Sequence, residues 1–254
     1  MERQRPKDVL TMGDLHSYLD NRGGARCRLY HYTNYSTLIK ILKSGMLLVN
    51  NIKNVNDALE AADDASHNVY VASFTYEQRE AVHYWAVYGR NDPYSVRISF
   101  VCDEGQDHFM EGLRFADRGA PVQPLSKRLS DVIYYSIAPS RGRHWKHDYN
   151  YFSLDADIDA VKREFSGLCK YDIWEHEKET RLLVLTEQAH DRIFAQLPAT
   201  FFASLEVVFS PWIDEEVQAE LAVPVGNLLA ERYGVKDMGS VIRTSSIHNL
   251  VRLK

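Results

Sequence analysis

Glu177, Glu179 and Arg181 stand two apart in the stretch WEHEKETRLLVL (174–185), which runs from charge into a strand-like apolar segment. Side chains alternate along a strand, so a strand beginning at the charges would project all three from one face. Two carboxylates about 7 Å apart repel when both are ionised, which favours keeping one proton or recruiting a cation. Arg181 would neutralise one of them. The other could then stabilise an oxocarbenium-like sugar centre, or orient and deprotonate a nucleophile. The competing reading is a solvated edge strand whose charge blocks edge-to-edge pairing.

Two further stretches have side chains spaced for chemistry. In LYHYT (29–33), His31 and Thr33 share one strand face, and Tyr30 and Tyr32 share the other. A His and a hydroxyl so placed can hydrogen-bond a sugar diol or a carboxamide, while the tyrosines offer flat stacking surface. Read without function, His31 is a satisfied structural histidine. In ASFT (72–75), Ser73 and Thr75 share a face with Phe74 opposite, and small hydroxyls there also serve as plain strand residues.

Other chemistries find less support. His144 and His147 stand three apart in HWKH, but no HExxH or other ligand spacing accompanies them, so no metal is expected. GxSxG, GxGxxG and GxxxxGK[ST] are all missing from the sequence. A formal net charge of −5 disfavours nonspecific grip on nucleic acid, which would need a local basic patch. The candidate patch is SRGRHWKHDYNYF (140–152), where Arg141, Arg143 and Lys146 interleave with Trp145, Tyr149, Tyr151 and Phe152. That is single-strand-groove chemistry, or else a surface loop whose rings pack inward.

The elements that must position these residues follow from periodicity. Strands are expected at 28–33, at MLLVNN (46–51), 68–75, 94–102 and 205–210, and near SVIRTSS (240–246). A helix in NYSTLIKILKSG should start at Asn34 or Ser36 and close at Gly45. Helices are also expected over 77–89, around 187–196, and from Asp214 onward with a close at Gly234. The segment from 105 to 170 reads as mainly helical, SKRLSDVIYYSIA and DIDAVKREFSGL best of all. NVNDALEAADD (54–64) reads as a loop or a short polar helix. Strands and helices do not alternate as in a doubly wound sheet. The expectation is an α+β chain with a mixed or antiparallel sheet core and flanking helices.

A composition of 45% hydrophobic and 26% charged residues suits a globular protein, divided here into an N-terminal appendage (1–27) and a single α+β domain (28–254). No apolar run approaches the roughly 20 residues needed to cross a bilayer. The start has no secretory-signal character, and three scattered cysteines suit a reducing cytosol. A cytoplasmic protein is therefore expected.

Taken in order, these segments resemble the bacterial family known as domain of unknown function 2971. Its pattern runs Tyr-His-Tyr-Thr, a short helix, an Asn-Asp-x-x-Glu turn, a Ser/Cys-Phe-Ser strand, a Trp-x-x-Tyr helix and a Trp-x-x-Glu-x-Glu-x-Arg strand. The match covers roughly residues 28 to 245. More distantly, the YHYT strand and the helix ending in SG are similar to the opening of ADP-ribosyltransferase-like proteins. That resemblance implies a split sheet and NAD as a substrate. It also implies that His31 and Thr33 bind the NAD ribose and carboxamide while Ser73 and Thr75 buttress the nicotinamide pocket. Glu179 would stabilise the oxocarbenium and Glu177 would orient the acceptor. Tyr32 and the Trp85–Tyr88 pair complete the expected cofactor-binding set.

Three functions stay open on the sequence. One is an NAD-consuming ADP-ribosyltransferase-like or NAD glycohydrolase-like enzyme, in bacterial defence or toxin biology, acting on a nucleic acid, a protein or water. The second is a nucleic-acid-binding or processing module without NAD turnover. The third is a catalytically inactive interaction protein.

Overall fold

The computed structural model describes residues 9–23, 28–55, 67–89, 92–102, 107–136, 144–147, 150–152, 154 and 156–250. Helix α1 spans Met12–Gly23, strand β1 Arg28–Asn34, helix α2 Tyr35–Ser44 and strand β2 Met46–Asn51. The passage from β1 into α2 needs no loop. Asn34 sits at φ −97° and ψ 161° and accepts a hydrogen bond from the Thr37 N–H at 2.8 Å, a cap worth about 1 kcal/mol. Leu38, Ile41 and Leu42 turn inward at helical spacing, and Gly45 at φ 72° closes the helix by returning its N–H to the Ile41 carbonyl.

Strand β3 (Val69–Thr75), helix α3 (Val82–Tyr88), strand β4 (Ser95–Val101) and helix α4 (Asp107–Gly112) follow. Then come five strands: β5 (Arg114–Asp117), β6 (Ala120–Val122), β7 (Ser126–Asp131), β8 (Ile133–Ser136) and β9 (His144–His147). Strand β10 (Asn150–Phe152), helix α5 (Ile158–Glu164) and strand β11 (Cys169–Tyr171) lead to a 3-10 turn over Asp172–Glu177. The chain continues through β12 (Glu179–Leu185), β13 (Arg192–Gln196), α6 (Ala199–Ala203), β14 (Glu206–Phe209), the long helix α7 (Glu215–Tyr233), α8 (Met238–Val241) and β15 (Ile242–Arg243).

The fold is α+β with a mixed, mostly antiparallel sheet, as the sequence leads one to expect. In the larger sheet the path is β15-β14-β4-β1-β3-β2-β13-β5-β6, with β12 on the other edge of β3 and β7 beyond it. A smaller sheet runs β10-β9-β8-β11. Leu29, Leu42, Tyr70, Phe100, Leu182, Phe201 and Leu229 belong to the main core. A second core joins α1, through Leu15, Tyr18 and Leu19, to Ile133, Trp145, Val161 and Phe165 of the smaller sheet and its helix.

One feature of register creates the site. β3 pairs with β12 along its whole length, from Val69 opposite Leu185 to Thr75 opposite Glu179. On its other edge β2 takes Tyr70 and Val71, while β1 takes Thr75 alone. Among the described residues, Ala72, Ser73 and Phe74 therefore have no strand partner on that edge. β1 and β2 fork away from one another there.

Three expected helices are corrected. Residues 126–136 form β7 and β8, not a helix. Val132 to Tyr135 are β-branched or aromatic, and Ile133–Ser136 are buried on both faces between β9 and β11. The region around 187–196 ends in strand β13, where Ile193 and Ala195 are fully buried and alternate with more exposed neighbours. The helix expected over 77–89 is confined to Val82–Tyr88. Upstream, the Glu77 N–H bonds Thr75 Oγ1, the Arg79 N–H bonds Glu77 Oε1, and Glu80 accepts from Ser245 and Ser246, so local and tertiary partners replace helical ones. Most of NVNDALEAADD, including Asn56, Asp57 and Glu60, lies outside the described residues.

No described helix is long and apolar enough to cross a membrane.

Candidate functional site

The fork between β1 and β2 opens into a cavity of about 230 Å³. His31 and Tyr32 of β1, Ser73 and Thr75 of β3, Tyr88 of α3, and Glu177 and Glu179 line it, as do Tyr84, Lys170 and Arg181. Of the residues singled out from the sequence, Thr33 and Trp85 are not in its wall. Thr33 is half-buried further along β1. Trp85 is wholly buried and packs edge-on against Tyr32, with ring centres 4.9 Å apart, so it supports the wall from behind.

His31 reaches across the gap to β3. Its Nδ1 donates to the Ser73 carbonyl at 2.9 Å, which leaves Nε2 of the neutral ring as an acceptor. Burial pulls the imidazole below its usual range, against the opposing effect of that carbonyl. The Thr75 hydroxyl is already engaged: it meets Tyr84 Oη at 3.1 Å and accepts the Glu77 N–H at 3.0 Å. Thr75 thus braces the site. Tyr84 lies flat on Tyr32, with ring centres 5.1 Å apart and planes 9° from parallel. Its hydroxyl aims at the His176 and Glu177 carbonyls at 2.9 and 2.7 Å, pinning the 3-10 turn. Burial pushes the Tyr32 phenol up to about 12, against the pull of Arg97.

Glu177 is not on the strand, which corrects the one-face expectation for all three charges. It ends the 3-10 turn, Lys178 takes the left-handed conformation at φ 42°, and β12 begins at Glu179. The two carboxylates nevertheless converge on Lys170. Its Nζ lies 2.5 Å from Glu177 Oε2 and 3.2 Å from Glu179 Oε2. Tyr88 Oη donates to Glu177 Oε1. Arg181 is on the same face as Glu179 and clamps it, Nε to Oε1 at 2.7 Å and Nη2 to Oε2 at 3.0 Å, while its Nη1 holds the Gly167 carbonyl at 2.8 Å.

Nor is this an edge strand. β12 is paired on both sides, and Glu177 and Glu179 are only 3% and 4% exposed. Burial alone would push Glu179 up. The Arg181 guanidinium and Lys170 ammonium outweigh it, with the Ser73 hydroxyl assisting, and hold the carboxyl at about 2. Burial, and next the Glu177 carboxylate, push the Tyr88 phenol far up, so it stays protonated and donates. Tyr134 Oη accepts the Glu179 N–H at 3.0 Å and fixes the start of the strand.

Sequence reasoning missed Lys170, Tyr84 and Tyr134. Tyr84 had a signal, since it lies one helical turn before Tyr88. Lys170 had none, because it sits on a three-residue strand of the other sheet. The basic and aromatic stretch 140–152 does not present a stacking platform in its described part. Trp145 is 1% exposed against Tyr135, and Lys146 is paired with Asp172 and Glu175. Arg141, Arg143 and Tyr149 lie outside the described residues. Among the described residues no group of three or more His, Cys, Asp or Glu is placed to hold a metal ion.

No family model matches the chain, and no curated protein does. Similar solved structures include Thermus sp. 2.9 DarT in complex with NAD+, at 13% identity and a TM-score of 0.35, covering 80% of this chain and 90% of that one. The same protein with carba-NAD+ is 14% identical at a TM-score of 0.35, covering 82% and 93%. With ADP-ribosylated ssDNA it is 13% identical at 0.35, covering 87% and 93%. A likeness this distant carries no inference about activity.

Proposed function

We propose that the chain is an NAD-consuming, ADP-ribosyltransferase-like enzyme whose acceptor is a nucleic acid, a protein or water. One observation carries the reading: the sheet fork gathers His31, Ser73 and both glutamates on a single small cavity. Its volume of about 230 Å³ falls below the usual range for whole-ligand pockets, which suits one end of a dinucleotide. The nicotinamide ring would enter the fork among the tyrosines, with the His31 Nε2 acceptor open to its carboxamide and the Ser73 oxygen, whose proton goes to Glu179, accepting from the ribose.

In the reaction, the bond between ribose C1′ and the nicotinamide nitrogen breaks and its electron pair leaves with neutral nicotinamide. The positive charge that develops on the ribose would be stabilised by the Glu179 carboxylate. An acceptor oxygen or nitrogen then bonds to C1′ and gives up its proton to solvent water, and Glu177 would orient it. Thr75 and Trp85 would act only through Tyr84 and Tyr32.

The test is nicotinamide release from NAD, followed with water, single-stranded DNA or RNA, or cell protein as acceptor. Turnover by the wild type should fall about a hundredfold or more in Glu179→Gln. Release that is equal in the two proteins would remove the mechanism.

One observation favours a second reading, a catalytically silent interaction protein. Each of the four carboxylate oxygens of Glu177 and Glu179 already has a hydrogen-bond or ion-pair partner. Wild-type protein that releases no nicotinamide with any acceptor would favour it.

A further inference from the structure

The acid pair is electrically closed. Two carboxylates, Glu177 and Glu179, face two cations, Lys170 and Arg181, so the charges of the four groups cancel. A cationic ligand entering such a cluster finds no excess negative charge to bind.

The two internal cations are held differently. Arg181 is 1% exposed, grips Glu179 with two nitrogens and uses a third on the Gly167 carbonyl, so its planar fork is fixed on three sides. Lys170 contributes a point charge on a flexible stem. It arrives from β11 of the smaller sheet, while both carboxylates precede or begin β12 of the larger one. Its Nζ also lies 4.9 Å from the centre of the Trp174 ring, a cation–π position beside the pair. A short swing toward Trp174 would keep the ammonium on a favourable surface, free Glu177 Oε2 and leave Glu179 Oε2 to Arg181 alone.

The rest of the wall has the chemistry of a cation site. Tyr30, Tyr32, Tyr84 and Tyr88 line the cavity, the flat Arg97 guanidinium already lies 4.7 Å from the Tyr30 ring centre, and His31 adds an acceptor nitrogen. We propose that Lys170 is a built-in counter-ion occupying the place of the positive charge of a flat organic cation, and that such a ligand binds by displacing it. Lys170 then sets the affinity and charge selectivity of the fork. This deepens the reading of the cavity as a site for NAD, whose oxidised ring is a pyridinium, and rests on it for the identity of the natural ligand.

The test compares two probes of nearly the same shape, cationic 1-methylnicotinamide and neutral nicotinamide, by calorimetric titration of the full chain. Lys170→Met keeps the apolar stem and removes the charge. The variant should bind the cation about tenfold tighter than the wild type, a discounted fraction of what one unit charge is worth at this range in a protein-like dielectric. Its affinity for the neutral probe should change less than about twofold by the same reasoning. Unchanged or weaker binding of the cation, or no binding of it at millimolar concentration, overturns the proposal. If Lys170→Met does not fold, Lys170→Gln replaces it. In the wild type, the 15N signal of the Lys170 ammonium should move on saturation with the cation and not with the neutral probe; a fixed signal also overturns the proposal. The two readings fail separately. Wild-type protein that leaves NAD intact, with the cation gain still present in the variant, removes the enzyme and keeps the counter-ion. NAD turnover without the gain does the reverse.

Discussion

Glu179→Gln has a consequence for stability that needs no knowledge of substrate. Arg181 and Lys170 hold the buried Glu179 carboxyl at about 2, against 4.5 for a free glutamate. A folded value below the unfolded one means that ionisation stabilises the fold. The contribution is complete above the unfolded value and is lost as pH falls toward the folded one. In full it amounts to about 3 kcal/mol, and between pH 7 and about pH 3.5 roughly 1 kcal/mol of it disappears. Glutamine keeps the shape but cannot titrate, so its variant should lack this slope while losing about 3 kcal/mol at pH 7. Urea unfolding followed by tryptophan fluorescence, at a series of pH values across this window, measures both. Parallel pH profiles for the two proteins would refute the claim that the buried cations hold this carboxylate ionised.

Two further substitutions test the supports. Gly167 has φ +81°, and a Cβ there would lie 2.6 Å from Leu183 Cδ1, so Gly167→Ala should cost about 1 to 3 kcal/mol in urea unfolding and loosen the carbonyl that Arg181 grips. Unchanged stability would show that the turn is not constrained. Tyr88→Phe removes a hydroxyl that donates to the buried Glu177 carboxylate and should destabilise by about 2 kcal/mol; a loss well under 1 kcal/mol would mean that the bond is not formed in solution.

The strand-borne chemistry was legible because it is local. Period-two spacing put Glu179 and Arg181 on one face, and the Asn34 and Gly45 signals marked both ends of α2. The fork itself depends on register among three strands, which short-range pattern does not encode. Lys170 was invisible for the same reason, since its partners are brought to it by a second sheet. Two expected helices, at 126–136 and 187–196, are segments in which strand pairing, on one side for β7 and on both for β8 and β13, overrode a helical spacing of apolar residues. Glu177 shows how little the strict strand pattern was needed. It leaves the strand through a 3-10 turn and a left-handed Lys178, yet reaches the same ammonium as Glu179.

The most direct measurement is a crystal structure of the full chain with a non-hydrolysable NAD analogue. The pyridinium ring should lie in the fork, its carboxamide and ribose within hydrogen-bond reach of His31 and Ser73, ribose C1′ facing Glu179, and the Lys170 ammonium moved toward Trp174. An analogue bound elsewhere on the molecule, or a fork that stays closed on Lys170 at saturating analogue, would contradict it.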